Sequence, residues 1–461
     1  MANDQHELEE QENDHRGREK PTQTWTSSHT KTFCFMYLAY ATGMGTRGSM
    51  DLAFFGAQKD NILSLRQFSA ILTSGTAAYA TGKLLGGPIV DYAGGRSILT
   101  TLTALMGVCF ISIGRTTSPI IMSILWSFSR LVHSLGWPAM SVLMRNWFSD
   151  LPNGAFVNSV ISTSSRAGAW FGPLVSGYLL ETLGSWKTLA TGIGSASILV
   201  SATLYSFLKE SPIDPKKVRR KESFYKKTAL KKDEQIVSLT TKEFFGVAMQ
   251  EPRLFLLFGA SMLATPVFDL PSVLSSYLSE TYDMAPTEIG AVASLFPFIA
   301  VPAVISGGWI DDQLTSNQKI WWYTSTQMLS VCTLYILGNR PKKKFVPFLL
   351  LATMAGIAPA FYVVPGNWLI KFAGERYAGT YNAWLDFPGN FITTFLYAAF
   401  PYLKSRGGWG TILKFYSCLT AAGTLSFFLF SILDAKAPMQ ESPYDILVEK
   451  KRRKMAQMEV V

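Results

Sequence analysis

The sequence is poor in charge. Only 16% of its 461 residues are Asp, Glu, Lys or Arg, against about 25% in ordinary soluble domains, which argues against a chain bathed in water over most of its surface. Histidine is scarcer still: there are four, and His6, His15 and His29 fall near the start. The four cysteines (Cys34, Cys109, Cys332, Cys418) lie in apolar stretches without metal-ligand spacing, so free buried thiols are expected rather than zinc ligands or a disulfide framework. No phosphate-cradling Gly-rich loop, no His cluster and no Gly-x-Ser-x-Gly elbow occurs. These absences remove the common enzyme classes, and no cofactor or metal is expected.

What is present is apolar length. The chain is 48% hydrophobic and 13% aromatic, with a mean hydropathy of +0.18, a balance suited to a chain whose solvent is lipid. A bilayer core takes about 20 mainly apolar residues per helix, and segments meeting that need fall at roughly 32–56, 68–90, 97–114, 119–146, 155–180, 187–208, 254–279, 288–310, 319–338, 345–371, 378–403 and 409–434. The expectation is an all-α, multi-pass integral membrane protein of 12 transmembrane helices in two six-helix bundles, 32–208 and 254–434. Residues 1–31 are polar and carry acids near the start, unlike a secretory or mitochondrial leader, and read as a disordered cytosolic tail. The break at 209–253 is rich in Lys and Arg, so it is hard to translocate and is expected in the cytosol. An even number of spans then puts the basic tail 435–461 there too. The net charge of +10 is thus a topology signal, with no nucleic-acid partner expected. One connection dissents: Arg340, Lys342, Lys343 and Lys344 fall where this topology leaves the cytosol.

Two bundles joined by a basic linker suggest a transporter with its site at the midplane between halves. After the second span the chain reads Gly87-Pro-Ile-Val-Asp91-Tyr-Ala-Gly94-Gly-Arg96, with a weaker echo, Gly307-Gly308-Trp309-Ile310-Asp311, ending the eighth. Gly94 permits a tight turn, while Asp91 and Arg96 can form contacts across the bundles that lock one access state. The fifth span carries Gly168-Ala-Trp-Phe-Gly172-Pro173, followed by Ser176 and Gly177, small residues that allow close helix approach. Together these motifs resemble those of the major facilitator superfamily, over about 32–434. The resemblance implies secondary transport by alternating access, with the lipid bilayer and a small molecule as partners, in a monomer.

Ionisable residues inside spans are costly and are functional suspects. The first half has Arg47, Lys83, Arg130, His133 and Arg166; the second has Asp269 and Asp386. The excess of cations suggests an anionic substrate or an internal ion-pair system. Tyr40 and Arg47, seven apart, share a face of the first span, and Tyr79 and Lys83, four apart, share one of the second. These positions, with Gly136-Trp137-Pro138, Asn146-Trp147-Phe148 and Ala378-Gly379-Thr380, resemble the organophosphate:phosphate antiporters, which include glycerol-3-phosphate and hexose-phosphate transporters. That family grips phosphate with a second Arg in the seventh helix; here Val267 stands near that place, with Asp269 two residues on. Its fifth-helix His falls at Ser165, beside Arg166.

The expected site is therefore Arg47, Lys83, Tyr40, Tyr79 and Arg166 for a small organic anion, with Asp91, Arg96, Arg130, Asp269 and Asp386 in gating or coupling. For Arg47 the competing role is an ion pair with Asp51 or a second-half acid, and for Lys83 an internal pair. His133 is expected as a core residue or a protonation switch. A proton-coupled carrier of another solute, or a solute sensor without turnover, are the competing functions.

Overall fold

The computed structural model describes residues 24–148, 157, 160–211, 239–439 and 441–459. The expected N-terminal tail up to residue 23 and most of the basic linker lie outside them. Among the described residues the fold is α-helical with no strand.

The first half comprises α1 (Ser27–Lys59), α2 (Leu65–Ala93), α3 (Gly95–Arg115), α4 (Pro119–His133), α5 (Gly136–Phe148), α6 (Ser164–Leu183) and α7 (Trp186–Phe207). Local chemistry sets their ends. A capping box of Ser64 and Gln67 opens α2, Pro119 occupies the first turn of α4, and Gly94 (φ +83°) and Gly184 (φ +61°) make turns that an L side chain resists. The short α8 (Thr241–Met249) leads into α9 (Pro252–Phe268), α10 (Pro271–Tyr282), α11 (Pro286–Gln313) and α12 (Ser316–Gly338). Pro266 and Pro271 flank the break where α9 and α10 bend by 45°.

Helix α13 runs from Val346 to Lys436 as 91 consecutive helical residues, which at about 1.5 Å per residue far exceeds a bilayer. Its contacts show that it doubles back. Thr353 meets Ser330 and Thr333 of α12. Tyr381, Tyr397 and Lys404 then advance along α9–α10, against Phe258, Asp269 and Glu280. Trp409, Ser426 and Asp434 return past Glu280, Leu256 and Arg253. Gly408, at φ +66°, marks the last reversal. Among the described residues the helix order follows the hydrophobic segments, with the fourth split into α4 and α5 and the seventh into α9 and α10.

Five stretches are long and apolar enough to cross a membrane: Gly95–Arg115, Trp186–Phe207, Pro286–Gln313, Lys343–Pro365 and Trp384–Lys436; the bent pair α9–α10 is a sixth. Helices α1, α2, α6 and α12 fall short of that mark, as do α4 and α5, which are 15 and 13 residues long; Arg47, Lys83, Arg130 and Arg166 lie on α1, α2, α4 and α6. Polar residues facing a bundle interior lower the mean hydropathy of the helices that bear them.

Within the first half α1 lies on α6, α2 on α4 and α3 on α7; between halves α6 meets α11, α2 meets α13 and α1 meets α10. Small residues decide the closest approaches. A Cβ on Gly172 would stand 2.2 Å from the Gly45 carbonyl, and one on Gly48 would stand 2.9 Å from the Pro173 ring. Across the halves, a Cβ on Gly290 would stand 2.5 Å from the Pro173 carbonyl and 3.0 Å from Gly177 Cα. The close-approach role expected of the fifth-span motif is therefore realised by backbone contact.

The C-terminal segment departs from the solvated tail expected. Pro443–Glu459 forms a helix, α14. Tyr444 is fully buried among Phe244, Phe372 and Tyr381 and donates to the Phe244 carbonyl, while Lys451 pairs with Glu243 of α8 at 2.6 Å. The dissenting loop is partly neutralised, since Lys343 pairs with Glu288 at 2.8 Å.

Candidate functional site

The buried charges meet where the halves face each other. Arg47 of α1 donates to Asp269, the C-cap of α9, in an inter-half ion pair. One helix over, Lys83 Nζ of α2 lies 3.2 Å from Asp386 of α13. The pairs differ in exposure: the Asp269 side chain is 8% exposed and that of Asp386 42%. The first carboxylate is enclosed, whereas the second is partly exposed.

Arg47 was expected to meet a substrate and is instead engaged by Asp269, and Lys83 is engaged by Asp386. Each cation thus faces a carboxylate of the other half, the internal pairing that was the competing role for both. Asp269 lies two residues past Val267, the residue near the place of the antiporter pattern's second Arg, and it forms an attractive pair with Arg47.

Tyr79 was expected to offer its hydroxyl. Its ring face is what the cations use, with Arg130 4.5 Å and Lys83 5.4 Å from the centroid. Tyr40 packs on Trp137 at 5.4 Å and lies close to Tyr79, Lys83, Arg166 and Asp386. Arg166 sits over the Tyr362 ring of the second half at 4.3 Å and has no carboxylate partner among the described residues. Arg47, Lys83, Arg166, Tyr40 and Tyr79 are all half-buried.

Arg130 is buried between the rings of Tyr79 and Trp126, and its Nη1 finds no partner among the described residues. His133 is buried, and neither ring nitrogen is hydrogen-bonded among the described residues. It fits because Gly43 has no side chain: a Cβ there would stand 3.2 Å from Nε2.

Of the gating motif, the Arg96 side chain is described. The side chain of Asp91 and residues Ala378-Gly379-Thr380 lie outside the described side chains. Arg96 donates to the Tyr205 carbonyl at 2.7 Å and covers the Tyr205 ring, within its own bundle. Glu210, just past α7, accepts from the Gly95 and Arg96 amides at 2.9 and 2.7 Å and caps α3. In the second half Asp311 of the echo motif accepts from Lys319 and Tyr323, both at 2.9 Å. The two motif regions thus brace neighbouring helices of one bundle.

Inter-half contacts gather toward the end of the molecule distant from α14. Ser272 donates to Asp51 at 2.9 Å and Ser276 to Gln58 at 3.1 Å, Glu181 accepts from Thr287, and Ser69 donates to the Tyr397 carbonyl. That end is closed. Sequence reading passed over Asp51 as a site in its own right, and over Glu210 and Tyr362. For Asp51 a signal existed, since it follows Arg47 by one helical turn.

A curated relative, the glycerol-3-phosphate transporter of Bacillus subtilis (strain 168), is 23% identical over 412 residues, covering 85% of this chain and 90% of its own. Among solved structures, a bacterial homologue of the human lysosomal transporter Spinster, inward-facing and unoccupied, matches with TM-score 0.71 at 14% identity, over 91% of this chain and all of its own. A D-xylose–proton symporter matches at 0.60 and 15%, covering 87% and 97%. These structural likenesses agree with the helical fold, and the Major Facilitator Superfamily model matches residues 33–340, most of the sequence: the chain belongs to that superfamily.

Proposed function

We propose that this secondary transporter carries a small organic anion, phosphorylated or carboxylated, by alternating access, and that the anion enters by displacing Asp386 from Lys83. The carrying observation is the unequal pairing of the buried cations. Arg47 faces an enclosed carboxylate, Lys83 a partly exposed one, and Arg166 none among the described residues. An oxyanion placed between Lys83 and Arg166 gains two charge-assisted contacts and gives Asp386 back to water at little cost. Tyr40 and Tyr79 border that space. Arg47 and Asp269 join the halves, and Arg130 stiffens the Tyr79 wall. The name of the Bacillus subtilis relative supports the substrate class.

With both tails and the linker cytosolic, the closed end is the outer one and the chain is inward-facing. Substrate binding then substitutes for the Lys83–Asp386 attraction between halves and lowers the barrier to rocking. Proteoliposomes loaded with unlabelled glycerol-3-phosphate, inorganic phosphate or a carboxylate test this by counterflow of the labelled compound. At least one anion is expected to exchange, and Lys83→Ala and Arg166→Ala each to reduce exchange tenfold or more with unchanged elution and helicity. Exchange of neutral solutes alone, or full activity of both variants, overturns the reading.

A further inference from the structure

We propose that Asp51 is a proton-binding site, and that its protonation is a condition for closing the molecule at the end where Asp51 lies. Asp51 follows Arg47 by four residues on α1, the spacing at which an acid and a guanidinium on one helix pair. In the closed arrangement Arg47 turns away from it to Asp269 of the opposite half. Asp51 remains 5% exposed. One oxygen accepts the Ser272 hydroxyl at 2.9 Å, and the other has no partner among the described residues. No ion pair reaches it there.

The groups around Asp51 are Arg47 on its own helix, Asp269 and Ser272 at the α9–α10 junction, Arg130 of α4 and Tyr397 of α13. Arg130 is held between aromatic rings, and the Tyr397 hydroxyl is given to the Asp269 carbonyl. Two carboxylates thus face Arg47, and the second-half acid holds it, while Arg130 stays stacked between its rings and makes no ion pair among the described residues. A buried ionised carboxylate supported by one neutral hydrogen bond is costly, and a proton on Asp51 removes the charge without moving any helix.

When the halves part at this end, Arg47 and Asp269 separate. The guanidinium then has Asp51 within reach one turn away. The Asp51 O–H bond breaks, the proton passes to the water that enters the gap, and an Arg47–Asp51 ion pair replaces it. Closing runs in reverse, taking one proton from that water. The sign follows: the closed form binds one proton more, so it gains as pH falls, by up to tenfold in population ratio per pH unit.

The experiment uses the full chain in lipid nanodiscs without substrate. Its native cysteines are replaced by serine, and spin labels sit at the exposed positions Lys59 and Asp283, one on each half. The closed population is expected to rise as pH falls, and Asp51→Asn, which mimics the neutral acid, to stay closed with no pH dependence. A wild-type pH slope retained by Asp51→Asn, or no slope in the wild type, overturns the proposal. Should Asp51→Asn fail to assemble, Ser272→Ala is expected to shift the wild-type midpoint, and an unmoved midpoint overturns it equally. The infrared carbonyl band of a protonated carboxyl is expected at low pH in the wild type and absent from Asp51→Asn; its persistence in the variant counts against the site. No transported solute enters these measurements, so failure of the anion reading and failure of this one are separately visible.

Discussion

Arg47 and Lys83 look alike in the sequence and differ in what surrounds their partners. Removing one member of an enclosed ion pair leaves the other charge uncompensated and costs about 3–5 kcal/mol. Asp269→Ala is therefore expected to destabilise the chain by about 3 kcal/mol, and Arg47→Met added to it to restore most of the loss, as read by thermal unfolding in detergent. Asp386 is the contrast. Its carboxylate is 42% exposed, so Asp386→Asn should cost under about 1 kcal/mol. Because it removes the anion's competitor for Lys83, it should also lower the KM for a transported anion. Equal destabilisation by Asp269→Ala and Asp386→Asn would show that the two pairs are not distinguished by burial.

At the scale of elements, the docking of α14 on α8 joins the C-terminus to the end of the linker. An aromatic cluster of Phe244, Phe372, Tyr381, Trp384 and Tyr444 supplies the apolar contact, and the Glu243–Lys451 pair adds charge. Lys451 and the Thr240 amide and hydroxyl hold the Glu243 carboxyl down at about 2, from an ordinary 4.5. A depressed carboxyl contributes stability that is fully present above its unfolded value and is lost as pH falls through its folded one. Hydrogen exchange of residues 443–459 should accordingly show this contribution complete above pH 4.5 and fading toward pH 2. Glu243→Gln should show faster exchange at neutral pH and no further acid-dependent loss from this pair. A Glu243→Gln profile identical to wild type would mean that the ring cluster alone holds α14.

At the scale of the whole molecule, closure depends on how nearly α6 and α11 can touch. Gly177 and Gly290 meet through backbone, and a Cβ at 290 would lie 2.5 Å from the Pro173 carbonyl, which cannot swing aside. Overpacking of this kind costs about 1–3 kcal/mol, and here the cost falls on the closed arrangement alone. Gly290→Leu is expected to move the population ten- to a hundredfold or so toward the form parted at this end, measured as a longer separation between labels at positions 59 and 283. An unchanged distance would place the controlling contact elsewhere, at Arg47–Asp269 or Ser69–Tyr397.

Hydropathy and helical periodicity are local, and the linear chain determined what depends on them. The apolar segments, the break between halves, the small-residue face of α6 and the inventory of charges inside spans all follow from residue type at short spacing. So does the sharing of one helix face by Tyr40 and Arg47, and of another by Tyr79 and Lys83. Only the tertiary structure decided which charge meets which. Arg47 and Asp269 are 222 residues apart and Lys83 and Asp386 are 303 apart; their meeting depends on the depth and rotation at which α1 faces α9 and α2 faces α13. The same holds for the folding back of α13 and the burial of Tyr444 beneath a helix read as a solvated tail. A buried cation announces that a negative partner is needed, and the packing of the two halves supplied that partner from within the protein.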